Sequence, residues 1–247
     1  MIEETLDIAT DDGAMETFIC RPERGDPCPP VLMLMDAPGI REELHDMARR
    51  LATTGYCVLL PNLYYRAGRD TTHFGPDVLV KESAEWTRMR AIRTNLGIPP
   101  VVNDVGAMIA WVDGRPEIAR PGSFGVHGYC MSGPFALAAA ARYPDRIAAA
   151  ASFYGTWLVN DVEESPHRNL ARIEGEAYIA CAEIDDLAPL PMVAELQELF
   201  DAAGTKGEIE IYPGVHHGFG FPERPIYDKL AAERHWERLF ALYARNL

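Results

Sequence analysis

Six short apolar runs, separated by stretches of helical spacing, restrict this chain to a layered architecture of strands and helices. Five of them, Val31–Met35, Cys57–Leu60, Phe124–His127, Ala148–Tyr154 and Ala177–Ala182, are apolar enough for strands buried on both faces. The sixth, Glu208–Tyr212, alternates and suits a sheet edge. Between them apolar residues recur on one helical face. Leu44, Met47, Ala48 and Leu51 form one set, and Val105, Met108, Ile109 and Val112 another. Val193, Leu196, Leu199 and Phe200 repeat the spacing, as do Ala232, Trp236, Leu239, Phe240 and Tyr243. This alternation predicts an α/β fold with a mainly parallel central sheet and helices on both faces. Leu6–Thr10 and Met15–Cys20, flanking Asp11-Asp12-Gly13, read as an added β-hairpin. A ligand site in such a sheet lies beyond the carboxyl ends of its strands, which is where reactive residues are sought.

The 247 residues suit one domain spanning 1–247. Residues 62–100 are long for a strand-to-helix connection and leave a strand's carboxyl end, so they are expected to roof the site. A helix is expected near Val78–Arg93. The formal net charge of -14 disfavours nucleic acid and anionic membrane surfaces as partners. No run approaches the length of a membrane span, and the acidic start MIEETLDIATDDG is unlike a secretory signal. The five cysteines are odd in number and lack C-x-x-C spacing, so reduced thiols in a cytoplasmic protein without a zinc site are expected.

Four segments carry candidate chemistry, each just after an apolar strand. In Gly128-Tyr-Cys130-Met-Ser-Gly133 a strand runs through small residues into an Ala-rich helix. That is the context of a nucleophile elbow, which lifts Cys130 towards a helix N-terminus that favours a thiolate and then an oxyanion. Tyr212-Pro-Gly-Val-His216-His217-Gly-Phe219 offers two histidines, expected in a loop, either of which could serve as base. Cys181-Ala-Glu-Ile-Asp185-Asp186 offers a carboxylate to orient the imidazole, although acidic residues there also cap helices. The order cysteine, aspartate, histidine is the nucleophile–acid–base order of the α/β-hydrolase fold. The loop Met35-Asp36-Ala37-Pro38-Gly39 would supply one oxyanion-hole N–H from Ala37, and Met131 the other. A carboxylate at Asp36 could bond a neighbouring thiol or its own backbone.

These segments resemble the dienelactone hydrolase (carboxymethylenebutenolidase) family of α/β-hydrolases. The resemblance covers nearly the whole chain: the DDG hairpin, MDAPGI, LATTGYCVLLPNLYYR, HGYCMSG, SFYG, AEIDDLAP and YPGVHHGF. Its most specific element is cysteine in the elbow, where most esterases of the fold carry serine. It implies Cys130 as nucleophile, Asp185 rather than Asp186 as acid, and His217 rather than His216 as base. The family's thiol-pairing glutamate corresponds to the shorter Asp36. Ser132-Gly133 replaces a Gly-Gly pair, and Phe221 stands where the archetype has a substrate-binding arginine. The substrate would then be a neutral lactone or ester, or a carboxylate held by roof arginines. Arg66, Arg69, Arg88, Arg90 and Arg93 are candidates for that clamp, with Arg88 and Arg90 foremost.

The expected activity is cofactor-free and metal-free hydrolysis of a small lactone or ester through a Cys130 thioester. The alternatives are a short-chain ester or thioester hydrolase of the same fold, and a catalytically silent small-molecule binder. A monomer or small homo-oligomer is expected.

Overall fold

A computed structural model of the chain describes residues 1–23, 25–68 and 73–247, in two compact units, Met1–Pro121 and Gly122–Leu247. In the first unit, β1 (Ile2–Thr10) and β2 (Gly13–Arg21) form the expected hairpin. Strand β2 runs antiparallel to β4 (Cys57–Pro61), and β4 runs parallel to β3 (Pro30–Leu34), giving the order β1-β2-β4-β3. Every residue of β3 and β4 is buried, which is why neither alternates in sequence. Helix α1 (Glu42–Ala52) packs on β2 and β4 and buries the predicted set Leu44, Met47, Ala48 and Leu51.

Helix α2 (Ala84–Arg93) is shorter than expected. Val78–Glu82 is turn and bend, and Ser83 caps the helix by accepting the Trp86 N–H at 3.0 Å. Only Met89 of α2 is buried, so it has little apolar face with which to extend itself. Helix α3 (Ile98–Asp113) follows, with its prolines in the first turn, and packs on β1.

The second unit is an all-parallel sheet in the order β5-β6-β7-β8, comprising Phe124–Tyr129, Ile147–Phe153, Glu176–Ile184 and Gly207–His216. Helix α4 (Gly133–Arg142) packs on β5 and β6, and α6 (Lys229–Asn246) on β6 and β7. Between β7 and β8 lies α5 (Leu190–Ala203), burying Val193, Leu196 and Phe200. Strand β8 is longer than its sequence signal because it ends at His216, which pairs with Ile184 of β7. His216 is therefore a strand residue, not the loop residue expected.

Under β5, His127 is fully buried and its Nδ1 lies 2.9 Å from the Tyr243 hydroxyl of α6. Burial, aided by the charge of His235, pushes the His127 imidazole down to about 3, so it is neutral at physiological pH. Replacing Tyr243 by Phe strands that nitrogen in the core. The expected cost is about 1–3 kcal/mol, seen as a lower urea midpoint at unchanged slope.

Candidate active site

Strand β5 ends at Tyr129, and the chain turns through one 3-10 turn, Cys130–Ser132, into α4. Cys130 has φ 55, a left-handed backbone that non-glycine residues seldom adopt. Small neighbours make the turn possible. A Cβ at 128 would lie 2.1 Å from the Ser132 carbonyl oxygen. One at 133 would lie 2.4 Å from Ser152 Oγ and 2.5 Å from Gly155 Cα. Glycine is thus required by close backbone approach on both sides of the cysteine. The Thr156 N–H donates to the Cys130 carbonyl at 3.2 Å, pinning the elbow to the loop after β6.

The elbow's partners come from the ends of β7 and β8. Asp185 follows β7, with its carboxylate wholly inaccessible, and accepts the Leu187 N–H on Oδ1 at 2.8 Å. Its Oδ2 lies 2.7 Å from His217 Nδ1, just beyond β8. Asp186 and His216 are exposed. His217 Nε2 is buried and makes no hydrogen bond of regular geometry, but a looser bond and the charge of the Cys130 sulfur act on the ring. Burial alone would lower the basicity of His217. The electrostatic influence of the Cys130 sulfur, a looser bond to it, and the hydrogen bond and charge of Asp185 outweigh burial and raise it to about 10. Nucleophile, base and acid candidates from three separate segments therefore meet within one unit.

The other candidates have varied settings. Met131 is buried in the turn after Cys130, at the head of α4. Ala37 belongs to the first unit, where its carbonyl accepts the Tyr64 hydroxyl at 2.8 Å. Asp36 is fully buried and bound by Arg41 Nη1 at 2.6 Å, while Arg41 Nε also reaches Glu43 at 2.9 Å. Arg66 pairs with Asp104 and Asp12. Arg88 holds Glu85 and lies over Phe74, and Arg90 lies over Trp86. The forks of Arg66 and Arg88 are thus already engaged within the first unit, and Arg69 lies outside the described residues. Phe221 is fully buried against Tyr129 and Tyr154, with the Arg224 guanidinium 4.3 Å from its ring centroid.

Two residues of the site were given no role from the sequence. Arg224 folds back beside Gly218, where a Cβ would lie 2.3 Å from its Nη1. Tyr154 packs edge-to-face on His217 at 5.3 Å between ring centroids. The run SFYG contained Tyr154, but a tyrosine ending an apolar strand reads as core.

This arrangement of strands and strand-end residues is an α/β-hydrolase fold, and solved structures share it. A provisionally assigned dienelactone hydrolase from Klebsiella pneumoniae superposes with a TM-score of 0.81 at 23% identity, covering 98% of each chain. The dienelactone hydrolase of Anabaena variabilis gives 0.71 at 15% identity, over 100% of this chain and 98% of its own. In sequence, the model of the Dienelactone hydrolase family matches residues 15–247, and the chain belongs to that family. It is accordingly a hydrolase of ester or lactone bonds. A provisionally named carboxymethylenebutenolidase from Methylorubrum extorquens is 27% identical over 97% of this chain and 79% of its own length. A relative from Bradyrhizobium, provisionally named 2-oxo-3-(5-oxofuran-2-ylidene)propanoate lactonase, is 26% identical over 94% of this chain and 89% of its own.

With its pKa raised to about 10, His217 keeps its proton at pH 8, well above the usual histidine range. Its stabilising contribution is full below about 6.5, the unfolded value, and fades as pH rises through the folded value. Nitrogen-15 NMR of the histidine rings should therefore show imidazolium at His217 at pH 8. In Cys130→Ala, which removes the largest raising influence, the titration should move down. A neutral His217 at pH 8 in the unmodified protein would contradict this electrostatic account.

Proposed function

We propose that the chain hydrolyses a small lactone or ester through a thioester on Cys130. The observation that carries this reading is His217, with Nδ1 on buried Asp185 and its other edge interacting with a cysteine held in a left-handed elbow. The Cys130 sulfur attacks the carbonyl carbon, and the Met131 N–H at the head of α4 supports the developing oxyanion. Ala37 is the second donor that the family resemblance implies.

Collapse of the tetrahedral adduct breaks the acyl carbon–oxygen bond, and His217 gives its proton to the leaving oxygen. In a lactone that oxygen stays in the molecule as a hydroxyl. Acylation removes the thiolate charge, and with it the largest influence keeping His217 protonated. The imidazole, now neutral, can take a proton from water as the water attacks the thioester. Departure of the thiolate frees the acid product and restores the starting charges. Asp185 orients the ring and stabilises its cationic form throughout. The name of the Bradyrhizobium relative favours a lactone among the possible substrates.

A panel of lactones and short esters should be turned over by the wild type and not measurably by Cys130→Ala. His217→Ala should lose about 10²–10⁴ in turnover, with His216→Ala losing far less. A larger loss at His216 would reverse the assignment of the base.

Iodoacetamide followed by mass mapping offers a separate check. Burial pushes the Cys57 and Cys181 thiols up to about 12 and Cys20 to about 11, and it raises Cys28 as well. Cys130 should be modified first, with parallel loss of activity. Labelling of Cys28 ahead of Cys130 with activity intact would remove Cys130 from the reaction.

A further inference from the structure

The hydrogen bond from His217 to Asp185 fixes one point of the imidazole and leaves the ring free to pivot about that contact. Whether Nε2 points at the Cys130 sulfur depends on the plane of the ring. One neighbour in the same unit is placed to set it. Tyr154 stands edge-to-face on His217, with centroids 5.3 Å apart and planes at 67°.

Tyr154 is itself tightly held. Its backbone has φ 40, in the left-handed region that a bulky side chain adopts only when its surroundings impose it. Its N–H donates to the Ala180 carbonyl of β7 at 2.7 Å. Its fully buried ring contacts Phe219 at 5.2 Å and Tyr129 at 5.9 Å. Tyr129 directly precedes Cys130, and Phe219 lies two residues beyond His217.

The residues after Tyr154 reach the other two members of the site. The Thr156 N–H donates to the Cys130 carbonyl at 3.2 Å. The Trp157 N–H donates to the Leu187 carbonyl at 3.1 Å, and the Leu187 N–H donates to Asp185 Oδ1 at 2.8 Å. A segment of four residues after β6 is thus tied to nucleophile, base and acid segments together.

We infer that Tyr154 is a positioning residue, whose ring holds the plane of the His217 imidazole so that Nε2 stays aimed at the Cys130 sulfur. The inference rests on the roles proposed above for Cys130 and His217. It assigns the effect to the aromatic ring, not to the hydroxyl. Small errors in aim are costly in a proton-transfer site, because misplacement by about 1 Å can lose roughly 10²-fold in rate.

The test uses the full-length protein with p-nitrophenyl acetate as probe, and compares Tyr154→Phe with Tyr154→Leu. The Phe variant keeps the ring and should stay within about twofold of wild-type kcat. The Leu variant loses the ring and should fall towards about 10²-fold in kcat, with KM nearly unchanged. Its His217 ring-proton resonances should shift as the shielding of the neighbouring aromatic ring disappears. In the wild type, nuclear Overhauser contacts between the Tyr154 and His217 ring protons are expected, a measurement that stands even if the Leu variant does not fold.

Absence of those contacts overturns the inference, as does a folded Leu variant with wild-type kcat and unshifted His217 resonances. Equal losses in the Phe and Leu variants would move the effect to the hydroxyl and overturn it too. Full activity in His217→Ala would instead sink the proposed mechanism. An inactive His217→Ala beside a fully active Tyr154→Leu would sink the role of Tyr154 alone.

Discussion

The left-handed backbone at Cys130 is the constraint on which the rest of the site depends. A side chain at φ 55 is disfavoured by its own backbone, so the turn persists only because its surroundings permit nothing bulkier. Gly128 lets the turn close on the Ser132 carbonyl, and Gly133 lets α4 approach Ser152 and Gly155. The buried Ser152 hydroxyl lies where side chains at 133 and 155 would otherwise project. Close packing of β6 against the head of α4 therefore shapes the elbow, and the elbow decides where the sulfur stands.

From that position follows an electrostatic arrangement that differs between protonation states. His127 and His217 belong to the same unit and are both largely removed from water, yet their basicities diverge in opposite directions. His127 faces a neutral tyrosine hydroxyl and loses its charge to burial. His217 has a carboxylate on one side and a sulfur capable of bearing charge on the other, and these outweigh burial. In the proposed reaction His217 is cationic beside the thiolate and in the tetrahedral adduct, and neutral once the thioester has formed. One ring can thus act as an acid towards the leaving oxygen in the first half of the cycle and as a base towards water in the second, with Asp185 on its Nδ1 throughout.

Much of this was legible in the sequence, because strand and helix periodicities are local signals. The buried strands were read correctly in place and type, since runs such as Val31–Met35 and Ala177–Ala182 are apolar throughout. The elbow could be read because its constraint is also local: small residues must flank a turn between a strand and a helix. Boundaries were less clear. Helix α2 begins at Ala84 because the Ser83 side chain caps it there, and β8 reaches His216 because β7 offers a pairing partner that far. Neither the cap nor the pairing is visible in hydrophobic period.

The sequence alone determined the fold class, the order of cysteine, aspartate and histidine along the chain, and which strand ends would carry them. Tertiary structure gave neighbours of identical chemistry different surroundings. Asp185 and Asp186 are the same residue type, as are His216 and His217, but burial and strand pairing turn one of each inward and leave the other in solvent. It also engaged the Arg66 and Arg88 guanidinium groups with carboxylates, Asp104 for one and Glu85 for the other. Tyr154 acquired its place against His217 in the same way. The physical reason is common to all of these. Periodicity reports the preference of a short segment for one environment, whereas orientation and pairing arise only when segments far apart in sequence pack together.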